Sequence, residues 1–237
     1  CSARDLLTIF VALELLSIPA YMLATWRKRD LKSNEAGIKY YLMGVFASAI
    51  MLYGMSLVFG ASGSTLLTDV AKALSGDNVR PTAVVGILFV IIGFAFKVSA
   101  FPFHAWAPDT YEGAPTPVTA FLAVASKAAG FVAIVQLIYV GFGTREDVYQ
   151  PLLWVLAAGS MTAGNLMALR QKNLVRLMAY SGIAQAGYML APLVVAGNDK
   201  VGDKPLQAIV GYLVIYAAMN LGAFGVDSFT AIINQPD

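Results

Sequence analysis

Seven continuous apolar stretches set the strongest constraint on the fold of this chain. They are Leu6–Trp26, Tyr40–Gly60, Thr82–His104, Pro117–Phe142, Leu152–Arg170, Leu174–Ala196 and Leu206–Ile233. A helix rises 1.5 Å per residue, so about 20 residues cross the ~30 Å of hydrocarbon in a bilayer. Because the apolar runs are continuous and do not alternate with polar residues, they predict membrane-spanning helices and not the strands of a closed barrel.

The composition agrees with a membrane protein. Charged residues make up only 13% of the 237 residues, and hydrophobic residues make up 58%, whereas a soluble domain carries about 25% charge. The sequence therefore predicts an all-α membrane protein with about seven transmembrane helices, forming a single transmembrane domain over residues 1–237. The chain starts at Cys1 without Met and has apolar stretches close to both ends, which indicates a fragment of a longer subunit.

Several kinds of site are excluded by residue counts. Cys1 is the only cysteine and His104 the only histidine, so no cysteine-ligated metal, iron–sulfur or His-rich site is expected within the chain. The sequence contains no glycine-rich phosphate loop. A net charge of +2 also leaves no basic domain suited to nucleic acid.

Basic residues are concentrated in two of the connectors. The first connector contains Arg27, Lys28, Arg29, Lys32 and Lys39, and the fifth contains Arg170, Lys172 and Arg176. If every stretch crosses the membrane once, both connectors lie on one side, which the positive-inside rule makes cytoplasmic. The connectors of the opposite side hold the acidic residues Asp69, Asp77, Glu146, Asp147, Asp199 and Asp203 and the basic residues Lys72, Arg80, Arg145, Lys200 and Lys204.

Three ionisable residues, Glu14, Lys97 and Lys127, lie deep within apolar stretches. Each costs about 2.5–3.5 kcal/mol on an insertion scale. One interpretation is structural, with a buried Glu–Lys pair that fixes helix packing. The other is a proton path, in which Glu14 pairs with Lys97 while Lys127, which has no acidic partner in its own stretch, loads and releases protons.

Pro102 predicts a broken helix beside Lys97, because a proline cannot donate a hydrogen bond to the carbonyl four residues earlier. Pro19 sits similarly close to Glu14. His104 would lie two turns beyond Lys97 on the same face if the helix continued. It is then either a carrier that passes protons to the cytoplasmic surface or a hydrogen-bonded histidine at the membrane interface.

The connector that follows His104 is rich in proline and glycine, and it contains Asp109, Tyr111 and Glu112. We expect these residues to order a loop. Arg176, in the fifth connector, is expected only to determine the topology.

Two segments resemble the antiporter-like membrane subunits of respiratory complex I. Residues 96–118 read FKVSAFPFHAWAPDTYEGAPTPV, and residues 125–130 read ASKAAG. Within that family, Tyr111–Val118 and Gly164–Leu169 are similar to the N-type subunits of bacterial NADH-quinone oxidoreductase, the counterparts of mitochondrial subunit 2. The resemblance covers essentially the whole chain and implies an antiporter-like fold of inverted repeats, with one helix broken at Pro102.

The resemblance also implies roles for individual residues. Glu14 matches the acidic partner, Lys97 the lysine on the broken helix and Lys127 the central lysine of a proton relay, to which we add His104. In the family the route continues to a charged residue on a later broken helix, which this chain lacks, so we expect the isolated chain to be inactive.

Cofactors and partners follow from the same resemblance. No cofactor is expected in this chain, because NADH, flavin, the iron–sulfur clusters and quinone are expected on partner subunits. The expected partners are other membrane subunits of complex I, in a hetero-oligomer, and the lipid bilayer of the bacterial inner or plasma membrane.

Three functions are therefore weighed. The leading hypothesis is a proton-translocating membrane subunit of NADH:quinone oxidoreductase. The second is a subunit of a multisubunit cation/proton antiporter, which is disfavoured because a sodium ion prefers several oxygen ligands. The third is a purely structural membrane subunit.

Overall fold

The computed structural model describes residues 2–76, 79–197 and 202–233, and within these ranges the chain forms helices and no β-strand. The predicted loop charges Asp77, Asp199 and Lys200 lie outside the described residues. The helices are α1 (Leu6–Ala24), α2 (Leu31–Ser62), α3 (Leu67–Leu74), α4 (Pro81–Lys97), α5 (Trp106–Gly113), α6 (Thr116–Gly141), α7 (Glu146–Ala168), α8 (Leu174–Leu190, continued by a 3-10 turn to Val195) and α9 (Lys204–Ile233).

Six of these helices, α1, α2, α6, α7, α8 and α9, are long and apolar enough to cross a membrane. The third predicted span contains α4, which has 17 residues and is shorter because the helix stops at Lys97. These helices confirm the prediction of an all-α membrane protein. Large apolar side chains that point outward, such as Leu15, Phe46 and Val214, suit contact with lipid.

Helix α2 begins nine residues before the predicted span, at Leu31 instead of Tyr40, and it has 32 residues. At 1.5 Å per residue, a helix of that length exceeds the ~30 Å hydrocarbon thickness. Its first turns carry Lys32, Glu35 and Lys39, so they project from the membrane as a charged extension. Hydropathy detects only the apolar part of such a helix.

The predicted break is present, and it begins directly after Lys97. Ser99 adopts a left-handed conformation with φ of 56°, which is uncommon outside glycine. The indole Nε1 of Trp106 donates to the Phe96 carbonyl at 3.0 Å, and the backbone N–H of Phe101 donates to Ser160 Oγ at 2.8 Å. Tertiary hydrogen bonds thus stabilise the break. In contrast, α1 continues through Pro19 without ending.

The connector predicted as an ordered loop is instead a helix, α5. Pro108 is tolerated because it lies in the first turn, where backbone N–H groups have no partner within the helix. Gly113 ends the helix and packs against the Lys32 carbonyl and Ala36 of α2.

Both basic connectors lie on the same side of the helix array, as predicted. Glu112 of α5 pairs with Lys32 near the start of α2 and with Arg176 near the start of α8. One carboxylate can reach both only if these two helices begin at the same membrane face. This face is called the basic face below.

Helices α2 and α4 pack closely through glycine. A Cβ added at Gly54 would lie 2.7 Å from the carbonyl oxygen of Gly86, and one at Gly86 would lie 2.8 Å from that of Gly54. Small residues allow such backbone approach between membrane helices. This contact positions α4, and therefore Lys97 at its end.

Replacing Gly54 with leucine is expected to force α2 and α4 apart and to lower the stability of the protein by about 1–3 kcal/mol, since the close contact leaves no room for a side chain. The measurement is the thermal unfolding of the full-length protein in detergent. Gly211→Leu is the matched control, because an added Cβ there meets open space. Equal loss of stability in both variants would contradict the packing argument.

Candidate functional site

Lys97 is buried at the end of α4, with 4% of its surface exposed. Its ammonium Nζ donates to Ser17 Oγ on α1 at 2.7 Å. Ser17 in turn donates to the Leu13 carbonyl at 2.6 Å. The lysine therefore holds the end of α4 against α1 through a hydroxyl group.

Glu14 lies one turn before Ser17 on α1, and its carboxylate accepts a hydrogen bond from Ser48 Oγ on α2 at 2.5 Å. Within the part of the chain that the structure describes, no ion pair joins Glu14 to Lys97. The two groups are close enough to interact electrostatically. The sequence predicts a direct pair between Glu14 and Lys97. In the structure, each of the two charged groups is instead hydrogen-bonded to a serine hydroxyl.

A cavity of about 80 Å³ adjoins Lys97 between α1 and α6, and its lining includes Leu13, Gly130 and Gln136. A cavity of this size accommodates several water molecules. Gly130 leaves space for the lysine stem, because a Cβ there would lie 3.4 Å from Lys97 Cγ. Gly130 also follows Lys127 by one turn on α6, so the segments that carry the two lysines are neighbours.

Lys127 lies in the interior, with 1% of its surface exposed. Its Nζ donates to the Gly182 carbonyl of α8 at 2.9 Å and lies 5.7 Å from the centre of the Tyr216 ring of α9. No carboxylate pairs with it among the described residues. Its proton is therefore stabilised only by dipoles and an aromatic face.

The backbone immediately before Lys127 is unusual. Residues Leu122–Ser126 form a π-helical turn within α6, and a second π-helical turn covers Leu137–Gly141. Single π turns within helices are rare and are frequently found at functional sites. Pattern reasoning from the sequence missed this feature, since a π turn has no apolar signature of its own.

His104 lies within the break and is mostly buried. Its ring packs against Phe101, with the centroids 5.4 Å apart. Its Nδ1 has no hydrogen-bond partner among the described residues. Because α4 ends at Lys97, the helix does not continue to His104, and the two residues do not share a helical face.

A cluster of ion pairs lies at the basic face, and we call it the charged pocket. Asp109 pairs with Lys39 and Arg176, both at 2.7 Å, and Glu112 pairs with Lys32 at 3.1 Å and with Arg176 at 3.0 Å. All of them except Lys39 line a cavity of about 170 Å³. Arg176 was expected only to set topology, but it connects α8 to α5.

The carboxylates of the charged pocket are held in their ionised form. Partial burial raises the pKa of Asp109, but hydrogen bonds from Lys39 and Arg176 outweigh that effect, so the pKa lies below its ordinary value of 3.8. The pKa of Glu112 is likewise lowered from 4.5, because the hydrogen bonds from Arg176 and Lys32 outweigh partial burial. Both side chains lie on α5, outside the spanning helices. Only the three-dimensional arrangement brings these partners together.

The sequence matches the protein family described as NADH:quinone oxidoreductase/Mrp antiporter, TM, over residues 3–233. It belongs to that family, and it is a multi-pass membrane protein. A chain of respiratory complex I from Thermus thermophilus with bound aureothin is similar in structure, with a TM-score of 0.71 and 39% identity, over 92% of this chain and 47% of that chain.

Curated relatives also match nearly the whole of this chain. NADH-quinone oxidoreductase subunit N 2 of Symbiobacterium thermophilum is 48% identical over 236 residues, which cover 95% of this chain and 46% of the relative. The chain therefore spans about half the length of the curated relatives it matches. The sequence resemblance to antiporter-like subunits, and to the N-type in particular, is confirmed.

The fold is shared more widely. A chain of the Mrp complex from Dietzia sp. has a TM-score of 0.81 at 24% identity, over 94% of this chain and 41% of that chain. At that level of identity the likeness concerns the fold alone.

Arg176→Gln is expected to lower the free energy of unfolding by about 1 kcal/mol, since it removes partly exposed ion pairs from α5. A carboxylate whose pKa is lowered by folding contributes stability above its unfolded pKa and loses it as pH falls through the folded pKa. The difference from wild type should thus be constant between pH 8 and pH 5 and shrink only below about pH 4. It is measured by thermal unfolding of the full-length protein in detergent.

Arg170→Gln is the control for this experiment, because Arg170 is exposed and makes no ion pair within the described ranges. A loss of stability as large as that of Arg176→Gln would show that the charged pocket contributes nothing specific.

Proposed function

We propose that this chain is part of a proton-translocating membrane subunit of NADH:quinone oxidoreductase, in which Glu14, Lys97 and Lys127 bind and release protons within the membrane. The observation that carries the proposal is the burial of Lys127. An ammonium group in the membrane interior, with a backbone carbonyl and an aromatic ring as its contacts, is costly as a purely structural element. If the side chain alternates between ammonium and neutral amine as it binds and releases protons, its function explains why a costly buried lysine is present.

The contacts of Glu14 and Lys97 support the same proposal. The serine hydroxyls that hold them can reorient, since a hydroxyl both donates and accepts. The cavity beside Lys97 offers room for water at that lysine. Proton movement between Glu14 and Lys97 would shift the electrostatic field at Lys127, and quinone reduction elsewhere in the complex would drive the cycle. His104, inside the break, is proposed to connect the relay to the basic face.

The half-buried carboxylate of Glu14 also supports an assembled complex. A partly exposed acid at that depth is unfavourable against lipid, so we infer that another membrane subunit or the remainder of the full-length chain covers it. NADH, flavin, iron–sulfur clusters and quinone are proposed to reside on partner subunits. The proposed location is the bacterial inner or plasma membrane, and the isolated chain is proposed to be inactive.

A cation/proton antiporter subunit is the second candidate, and the description of the matched family, which also names the Mrp antiporter, supports it. Glu14 and Ser48 offer two oxygen-bearing side chains at one place, which is fewer than a sodium site prefers. We therefore favour the redox-driven pump. A purely structural subunit would require the lysines to lie in a dry, fully packed array, and the cavity at Lys97 argues against that.

Lys127→Ala and Glu14→Ala, introduced into the full-length subunit in its intact complex, are expected to reduce proton translocation coupled to quinone reduction by roughly tenfold or more, as is typical when a proton-transfer group is removed. The measurement is the proton gradient formed by reconstituted vesicles. Lys72→Ala is the control, because that lysine is largely exposed. Normal pumping in both relay variants would contradict the assigned roles.

Proton flux is expected to depend on quinone reduction and to be unaffected by an imposed sodium gradient, because the relay offers amines and one carboxylate but no cation cage. Reconstituted vesicles that contain the complete complex are tested with either driving force. Flux that follows the sodium gradient, with or without quinone, would support the antiporter function instead.

A further inference from the structure

The cavity between α1 and α6 has mainly apolar walls, and Lys97 is the charged residue that lines it. Its apolar lining includes Ile9 of α1 and Val132 of α6. Gln136 lines it too, but the amide nitrogen of that side chain donates to the Ala3 carbonyl. Most of the wall therefore suits a hydrocarbon group, and the charge is confined to one residue.

The ammonium of Lys97 lies close to the wall of this cavity. Its Nζ donates to Ser17 Oγ, and the same hydroxyl donates to the carbonyl of Leu13, which lines the cavity. An ammonium group has three N–H donors, and this contact uses one of them. No carboxylate pairs with it among the described residues. The buried ammonium therefore has donors left for a ligand.

The cavity opens sideways between two alanines. Ala12 of α1 and Ala129 of α6 line it, and both residues are exposed. Both lie within helices long and apolar enough to span the membrane, so the opening faces the hydrocarbon of the bilayer. Small residues usually let membrane helices pack closely, but at this place they border a gap. We call this gap the lateral opening.

The lateral opening lies on the other side of α1 from Glu14. At 3.6 residues per turn, the two positions from Ala12 to Glu14 correspond to a rotation of about 200°. Glu14 accepts a hydrogen bond from Ser48 of α2, whereas Ala12 borders the cavity next to α6. A neighbour that covers Glu14 therefore need not cover the lateral opening.

The size of the cavity limits the group that enters it. An apolar cavity of roughly 150 Å³ binds a single benzene ring. By that ratio, a cavity of about 80 Å³ takes about three or four non-hydrogen atoms, which is the size of a carboxylate group. The remainder of a longer ligand must leave through the lateral opening and lie along the helices, in contact with lipid.

Charge complementarity selects the chemistry of this ligand. A neutral hydrocarbon leaves the ammonium of Lys97 unpaired, and a cationic amphiphile is repelled by it. A small soluble anion loses its hydration in apolar surroundings, and its pair with the lysine alone does not offset that cost. A carboxylate on one alkyl chain meets both requirements, because its head pairs with the lysine while its chain stays in contact with apolar surface.

We propose that this cavity is a binding site for a single-chain amphipathic carboxylate, a free fatty acid that enters from the bilayer through the lateral opening and pairs with Lys97. The acid enters in its neutral form, which avoids the cost of moving a charge through hydrocarbon. On binding, the carboxyl O–H bond breaks and its proton forms an N–H bond on the neutral amine of Lys97. A carboxylate paired with an ammonium results, and water in the cavity is displaced.

The bound carboxylate holds Lys97 in its ammonium form, because loss of the proton would leave a buried carboxylate unpaired. Binding itself does not depend on the proposed function, but its consequence rests on that function. A lysine that cannot release its proton stops the relay, so the fatty acid is an inhibitor that acts from within the membrane.

Binding is tested with decanoic acid that carries a photoactivatable diazirine on its chain, using the full-length subunit in its complex in phosphatidylcholine nanodiscs. Saturable labelling of α1 and α6 is expected, and unlabelled decanoate is expected to displace it. Methyl decanoate and decylamine are expected to compete about tenfold less well, since neither forms the ion pair. Competition by these two compounds as strong as that by decanoate would overturn the inference.

Lys97→Gln removes the charge, and Ala129→Leu fills the lateral opening. Each is expected to weaken labelling about tenfold, by loss of the ion pair or of access to it. Ala12→Leu blocks the opening from the other helix, so the test remains possible if one variant does not assemble. Ala218→Leu of α9 is the matched control, because Ala218 is exposed and does not line the cavity. Labelling at the level of this control in all the other variants would contradict the site.

Inhibition is measured as the rate of quinone reduction by the complex, because a fatty acid itself carries protons across a vesicle membrane. Decanoate is expected to slow the wild type several-fold and to leave Ala129→Leu at its own rate without the acid. Displaceable labelling that requires Lys97, together with an unchanged rate, would establish the site and contradict the role of Lys97 in the proposed function. Absence of such labelling overturns this inference, whereas Lys127→Ala tests the relay separately.

Discussion

The burial of one ammonium group is the constraint on which the rest of this structure depends. Lys127 lies among apolar helices, and desolvation there opposes its charged form. The backbone supports it with the Gly182 carbonyl and with a π-helical turn directly before it. Because no carboxylate is in contact with the ammonium in the described structure, the proposed function has changes in the surrounding field decide whether it keeps its proton. A surface lysine, solvated by water, would not respond in this way.

The end of α4, which carries Lys97, is also held in place by polar contacts. Hydrogen bonds to Trp106 and Ser160 hold the backbone on both sides of the break. Beyond the break, α5 is tied to α2 and α8 by the ion pairs of Asp109 and Glu112. Lys97 is therefore located by a framework of polar contacts.

Much of this arrangement was predictable from the sequence. Glu14, Lys97 and Lys127 stand out because charged residues in continuous apolar runs carry a large cost, and Pro102 indicates the break because it removes a backbone donor. The helix α5 was not predicted, since its apolar and proline residues resemble a turn. The serine contacts of Glu14 and Lys97 were not predicted either, because Ser17 and Ser48 are ordinary residues until tertiary packing sets them beside a charge.

The sequence by itself determined that the chain spans a membrane as helices, which face carries the basic connectors and which residues bear buried charge. These properties follow from the local transfer free energy of each segment, which needs no knowledge of its neighbours. Only the tertiary structure decided the partners of those charges: hydroxyls for Glu14 and Lys97, a carbonyl and an aromatic ring for Lys127, and arginine for the carboxylates of α5. Such partners come from helices far apart in the chain, so their approach depends on packing, which no local pattern records.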